Sequence, residues 1–345
     1  MPKALHNLDI PALQAYLQQN MPEFGELLEI EKFSGGQSNP TYKLRTADKT
    51  YVMRAKPPGQ LLKSAHMVDR EFRAMGALAK TDVPVPEVYH LSGDDSPIGT
   101  MFFIMEYIEG RIFWDPALPE CSNEERMAIY AEMNRVLAAL HDVSPNAVGL
   151  FDYGKPGNYF ARQTGRWISQ YKASETTSIP AMNKLMDWLE ANMVDDDGAS
   201  SLVHGDFRLD NLVFHPTEPR ILAVLDWELS TLGHPLADVA YQCMQWRLPS
   251  FKGLRGLAGL DRVALGIPLE EEYVEQYCKR RGLGEIDNWE FYLAFSMFRL
   301  AAILQGVIAR AEAGNASNPD AANMMRMAVP LIANMACEVI GEAVE

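Results

Sequence analysis

The stretch LVHGDFRLDNLVF, Leu202 to Phe214, sets apolar residues on both sides of an eight-residue run that carries a His, two Asp, an Arg and an Asn. A buried strand would not tolerate such groups unpaired, since each unsatisfied one costs a few kcal/mol. An ordinary turn would be built from Gly, Ser or Pro. The crowding marks a working loop. Its spacing is His204-x-Asp206, then Asn211, and fifteen residues after the Asn an apolar strand ends in Asp226 within VLDWE. Phosphoryl transfer needs such a set: one carboxylate facing the attacking hydroxyl, and a second carboxylate with an amide oxygen to hold Mg²⁺. Asp206 is expected as the base. Asn211 and Asp226, at the ends of two short strands, are expected as metal ligands.

Three features upstream suit a nucleotide. FSGGQSNPTY joins two strands, and Gly35 and Gly36 let the backbone approach a phosphate closely, with Ser38 beside them. TYVMRAK alternates, so Val52, Arg54 and Lys56 share one face. Within HMVDREFRAMGALAK, helical spacing puts Val68, Phe72, Met75 and Ala79 on one stripe, and Glu71 falls on its apolar side. A carboxylate there needs a cation. Arg54 is the expected partner, free to orient phosphates as well.

Working outward, LLEIEKF, PTYKLRT and TYVMRAK read as a three-strand meander, and PVPEVYHL and GTMFFIMEYIEG as two more strands. Beyond Gly110 helical patterns dominate: Asn123 to His141, Met182 to Asn192, Leu236 to Trp246, Trp289 to Ala311 and Asn318 to Glu342. The expectation is an α+β chain with a small antiparallel β-rich lobe, 1–107, and a larger mainly α-helical lobe, 108–345. At 345 residues and a net charge of −15, the chain has a globular composition and no basic face for nucleic acid. Cys121, Cys243, Cys278 and Cys337 form no CxxC pair, no signal-like apolar block is seen, and the apolar run MFFIM is too short to cross a bilayer. A reduced, cytoplasmic setting without a membrane partner is expected. The Met-rich segment after Pro319 is expected to be core, with a homodimer contact or an acyl-binding wall as the alternatives.

Taken together, LVHGDFRLDNLVF, VLDWELSTLGHPLADVAYQ (Val224 to Gln242) and LAALH ending at His141 resemble the aminoglycoside phosphotransferase and choline kinase family. The match runs in order from about Ile30 to Ala240. The resemblance implies a protein-kinase-like two-lobe fold and Mg-dependent transfer from ATP to a small-molecule hydroxyl. It implies Asp206 as the catalytic Asp and Asn211 and Asp226 as Mg²⁺ ligands. It implies FIMEYIEG as the hinge, with backbone groups of Glu106 and Ile108 on the adenine, and Asp238 as a buried brace of the catalytic loop. Two positions depart from the pattern. Arg54 stands where Lys is usual and offers phosphate a fork. Gly205 stands where protein kinases place Arg, and no activation segment follows. The wording HGDFRLDN with RAKPPG and SAHMVDRE is similar to kinase-like domains associated with acyl-CoA dehydrogenases, which points to a hydroxyacyl-CoA-type acceptor over an aminoglycoside or amino alcohol. Arg208 and Asp210 are candidates to touch the acceptor, intraloop pairing being the alternative.

Other chemistries fit less well. GLFDYGKP at Gly149 to Pro156 nearly spells a phosphate loop, but Pro156 replaces the Ser or Thr that would hold Mg²⁺. No GxSxG elbow, HExxH pair or GxGxxG turn occurs. His141 and His204 are expected to be structural. A non-catalytic nucleotide-binding relative is the remaining alternative, and the intact base and metal positions speak against it.

Overall fold

The computed structural model describes residues 8–33, 39–57, 66–250, 254–313 and 319–342. In chain order its elements begin with α1 (Ile10–Asn20), β1 (Glu29–Lys32), β2 (Thr41–Arg45), β3 (Thr50–Ala55), α2 (Val68–Leu78), β4 (Val88–Leu91) and β5 (Phe102–Glu106). Then come α3 (Asn123–Asp142), α4 (Tyr159–Ser174), α5 (Pro180–Ala191), β6 (Ser201–Val203), β7 (Leu212–Phe214), β8 (Ile221–Val224) and β9 (Thr231–Gly233). The remaining helices are α6 (Leu236–Arg247), α7 (Arg262–Leu265), α8 (Glu270–Arg281), α9 (Trp289–Glu312) and α10 (Pro319–Val339).

These elements form two compact units, Met1–Arg111 with Leu212–Ser230, and Ile112–Asn211 with Thr231–Glu345. The single cut at 107 drawn from the sequence does not follow this division, because the first unit takes back a later segment. In that segment β7 pairs with β8, Arg111 bridges to Phe214, and the Val224 N–H donates to the Pro84 carbonyl.

In the first unit an antiparallel sheet runs in the order β1-β2-β3-β5-β4. Residues two apart share a face. Tyr42, Leu44, Tyr51, Met53, Phe102 and Ile104 pack on one side with Leu13 and Leu17 of α1. Val52 and Arg54 therefore face the other side, where α2 lies against β4 and β5. The buried stripe of α2 is Val68, Glu71, Ala74, Met75 and Leu78. Ala79, expected on that stripe, is exposed. Ala79 is the C-cap, one residue past the last turn of α2, where the packed face of the helix has ended.

In the second unit α9 is the central helix, packed against α4, α5, α6 and α10. By length and composition α9 could span a membrane, but 78% of its most apolar window is buried inside the protein. A search for unbroken apolar runs passes over it because Arg299 and other polar residues interrupt it. The inner face of α10, Val329, Ile332, Ala333, Ala336 and Cys337, is fully buried as core, whereas Met324 and Met327 earlier in the helix are exposed, so the Met-rich part of the segment is not core as expected. All four cysteines are buried, and none of them forms a disulfide.

Candidate active site

The first unit brings Arg54 and Glu71 together as the strand and helix periods demand. Arg54 Nε donates to Glu71 Oε1 at 3.0 Å, and Arg54 Nη2 donates to Asp226 Oδ1 at 2.5 Å. A Lys has no fork with which to make both contacts in this way. Glu228 lies 4.0 Å from the same Nη2. Asn39 Nδ2 bridges Glu71 and Glu228, at 3.2 Å to each, and the Asn39 Oδ1 meets His66 Nδ1 at 3.1 Å. Oxygens of Glu71, Asp226 and Glu228 lie within 4.8 Å of one another. Asp226 adopts a left-handed backbone, φ 66°, which Asp tolerates better than most residues and which turns the chain directly after β8.

Burial pushes the Glu71 carboxyl up to about 8, with Asp226 and Glu228 adding to the shift and Arg54 opposing it. The folded chain then keeps a proton that the unfolded chain releases above the ordinary value of 4.5. Between 4.5 and about 8 the unfolded state binds fewer protons, so stability falls as pH rises through that window. Glu71→Gln is expected to flatten this slope in urea denaturation of the ligand-free protein at a series of pH values. An unchanged slope would mean that Arg54 keeps the carboxylate ionised throughout.

In the second unit the loop after β6 is held from below by Asp238, near the start of α6. The Asp238 carboxylate accepts the N–H groups of His204 at 2.6 Å and Gly205 at 2.8 Å, and meets His141 Nε2 at 3.3 Å. Burial alone would raise its pKa; the hydrogen bond and charge of His141, with the loop amides, hold it below the ordinary range. Tyr277 hydrogen-bonds the other nitrogen of His141 at 2.7 Å. Gly205 has φ 81°, a conformation that side-chain-bearing residues resist, while its carbonyl accepts Arg299 Nη2 at 2.6 Å. That accounts for a glycine between His204 and Asp206. The His204 Nδ1 accepts the Asp206 N–H at 3.1 Å, so both histidines have structural partners.

Asp206 is held on both oxygens. Tyr241 OH donates to Oδ1 at 2.5 Å, and Asn211 Nδ2 donates to Oδ2 at 2.9 Å. Asn211 also donates to the Asp206 carbonyl at 2.9 Å, which leaves its own Oδ1 without a hydrogen bond among the described residues. Arg208 Nη2 pairs with Asp210 Oδ2, and its Nε lies 3.9 Å from Asp206 Oδ1. Beside this loop is a cavity of about 320 Å³ lined by Arg208, Asp210, Tyr241, Trp114 and Arg255 together with Met244, Leu248, Leu254, Leu300 and Leu304.

The expected residues thus fall into two groups. Arg54, Glu71 and Asp226 meet in the first unit; Asp206, Arg208, Asp210 and Asn211 meet in the second, braced by His204 and Asp238. The Glu106 N–H is committed to the Glu87 carbonyl at 2.8 Å, whereas the Ile108 backbone makes no hydrogen bond among the described residues. Gly35, Gly36 and Ser38 lie outside the described residues. Sequence reasoning passed over Asn39, Glu228, Tyr241, Arg299 and the cavity residue Arg255. Tyr241 was discoverable, since it sits three residues after Asp238 on the same helix face. Arg299, a charge inside a long apolar helix, was a second available signal.

Comparison with known proteins places the chain in a family. The model of the phosphotransferase enzyme family matches residues 29–291. Acyl-CoA dehydrogenase family member 10 of Mus musculus is 53% identical over 295 residues, 85% of this chain and 28% of that protein. The chain spans only 28% to 43% of the length of the curated relatives it matches. A solved structure from Ralstonia eutropha JMP134, described as a candidate aminoglycoside phosphotransferase, is 53% identical with a TM-score of 0.87, covering 98% of this chain and 99% of that one. A thermostable mutant of aminoglycoside phosphotransferase APH(4)-Ia, solved with AMP-PNP and hygromycin B, shares the fold at 17% identity and a TM-score of 0.61, over 94% and 98% of the two chains. The α+β, protein-kinase-like fold is therefore the one observed, and the chain belongs to the phosphotransferase enzyme family.

Proposed function

We propose that the chain transfers the γ-phosphoryl group of ATP to a hydroxyl of a small acyl compound that carries an anionic group, such as a hydroxyacyl-CoA thioester. The observation that carries the phosphotransfer reading is the Asp206 carboxylate, fixed on both oxygens in a loop whose backbone is clamped by Asp238. In this reading Asp206 orients the acceptor hydroxyl and takes its proton as the new O–P bond forms and the bond from the γ-phosphorus to the bridging oxygen breaks, releasing ADP.

The donor set fits Mg²⁺, which prefers hard oxygen ligands. In the first unit the second oxygen of Asp226 and the Glu228 carboxylate would hold it. Bound there, the ion would neutralise charge on the phosphates. Glu71 is a poor ligand, being 1% exposed and already bound to Arg54 and Asn39. Arg54 would exchange part of its fork from Asp226 to phosphate. Ile108 would offer its backbone to adenine, and Glu106 only its carbonyl oxygen.

The cavity supports the choice of acceptor. Its walls are largely leucine and methionine, and its one carboxylate, Asp210, is paired with Arg208. Arg255 donates to the Trp114 carbonyl at 2.8 Å and has no carboxylate partner among the described residues. A polycationic aminoglycoside would meet a cation there and no free acid. An acyl chain with an anionic group would find apolar walls and Arg255. The name of the mouse relative, an acyl-CoA dehydrogenase family member, supports the same class. Mass spectrometry of wild-type protein with Mg·ATP and separate pools of aminoglycosides, amino alcohols and hydroxyacyl-CoA thioesters tests this reading. A phosphorylated thioester is expected, with a KM raised roughly tenfold or more in Arg255→Leu, the loss of about one charged hydrogen bond. Product only from the aminoglycoside pool would reject the acceptor class while keeping the phosphotransfer.

A further inference from the structure

We infer that Tyr241 is a positioning residue for the reaction: its hydroxyl holds the Asp206 carboxylate in the orientation from which it receives the acceptor proton. The inference rests on Asp206 acting as the base. A carboxylate can turn about its Cβ–Cγ bond over a broad range, so its aim must come from its partners. Asn211 fixes one oxygen and Tyr241 the other. Among the described residues no further side chain makes a hydrogen bond to Asp206 Oδ1; Arg208 Nε stays at 3.9 Å.

Tyr241 is itself held rigidly. It lies on α6 one turn after Asp238, so one helix face clamps both the loop backbone and the working side chain. Arg299 of α9 packs its guanidinium 5.3 Å from the Tyr241 ring and 5.6 Å from the Trp167 ring while donating to the Gly205 carbonyl. Arg299 is buried with no carboxylate in ion-pair reach among the described residues. A buried cation placed so is costly to the fold. Its contacts are spent on the catalytic loop and on the ring that orients Asp206. Tyr241 also lines the acceptor cavity, so the residue that aims the base forms part of the wall against which the acceptor lies.

The test is a double-mutant cycle with Tyr241→Phe and Asp206→Asn in the full chain. Phosphorylation of a medium-chain hydroxyacyl-CoA mixture by Mg·ATP is read together with acceptor-independent ATP hydrolysis, in which water takes the acceptor's place. Tyr241→Phe keeps the ring and removes only the donor. Its kcat is expected to fall roughly 10- to 100-fold, the range for a hydrogen bond to a charged group, with both KM values within about twofold of wild type. In the Asp206→Asn background the same change should produce little further loss, because the proton-accepting carboxylate that Tyr241 aims is already gone. A kcat within twofold of wild type, or a loss that simply adds to that of Asp206→Asn, would overturn the inference while leaving Asp206 as base. Near wild-type turnover in Asp206→Asn alone would overturn the base assignment, and this inference with it.

Discussion

Asp206→Asn is expected to lower turnover by roughly 10²–10⁴-fold, the usual worth of a general base, with Mg·ATP affinity little changed. The variant should fold, because the amide can be accommodated where the carboxylate was. With its oxygen toward Asn211 Nδ2, its NH₂ faces Tyr241, whose hydroxyl can accept as well as donate. The Asn211 amide also keeps its bond to the residue 206 carbonyl. What is lost is the capacity to take a proton. Single-turnover phosphorylation alongside calorimetric ATP binding separates the two effects. Turnover near that of wild type would remove Asp206 from the chemistry and leave a binding protein with a kinase's fold as the better account.

Asp226→Asn is expected to abolish the Mg²⁺ dependence of ATP affinity and to lower turnover by roughly 10³-fold, since a phosphate-bound cation contributes several kcal/mol. The side chain of Asp226 is 31% exposed and uses one oxygen on Arg54, so its second oxygen is available. The substitution halves the oxygen donors and leaves Arg54 with Glu71 as its near partner. Calorimetric titration of ATP with and without Mg²⁺ reads the linkage directly. An unchanged linkage would reject Asp226 as a ligand and turn attention to Glu228, 21% exposed in the same cluster. Glu228→Gln would then be the variant that loses the Mg²⁺ effect.

The grouping of the loop's polar side chains was legible because it is local. His204, Asp206 and Asn211 lie within eight residues, and hydrogen bonds over that span need little help from the rest of the fold. The Arg54–Glu71 pair was legible for a different reason. Strand and helix periods each place a polar residue on an apolar face, and two such misfits of opposite charge call for each other. Where these rules ran short, the cause was tertiary. Local pattern also gave too few helices, since α1, α4, α7 and α8 were not anticipated. In α8 the cause is visible: EEEYVEQYCKRR buries only Glu270, Tyr273, Tyr277 and Cys278, too few apolar residues for a strong periodic signal.

By itself, then, the sequence determined the α+β class, the polar loop from His204 to Asn211, the strand-end position of Asp226 and the Arg54–Glu71 contact. Those follow from short-range spacing and from the two periods of regular backbone. Only the tertiary structure decided that Leu212–Ser230 packs with the first unit, that Glu228 and Asn39 join Arg54, and that Tyr241 and Arg299 hold Asp206 and its loop. It also decided that Arg255 faces the same cavity as Arg208. Such contacts join residues up to 189 positions apart, as Asn39 and Glu228 are, and nothing in the chemistry of either residue names the other. The choice is made by the packing of helices and sheet, which brings distant groups within hydrogen-bond range and gives buried polar atoms their partners.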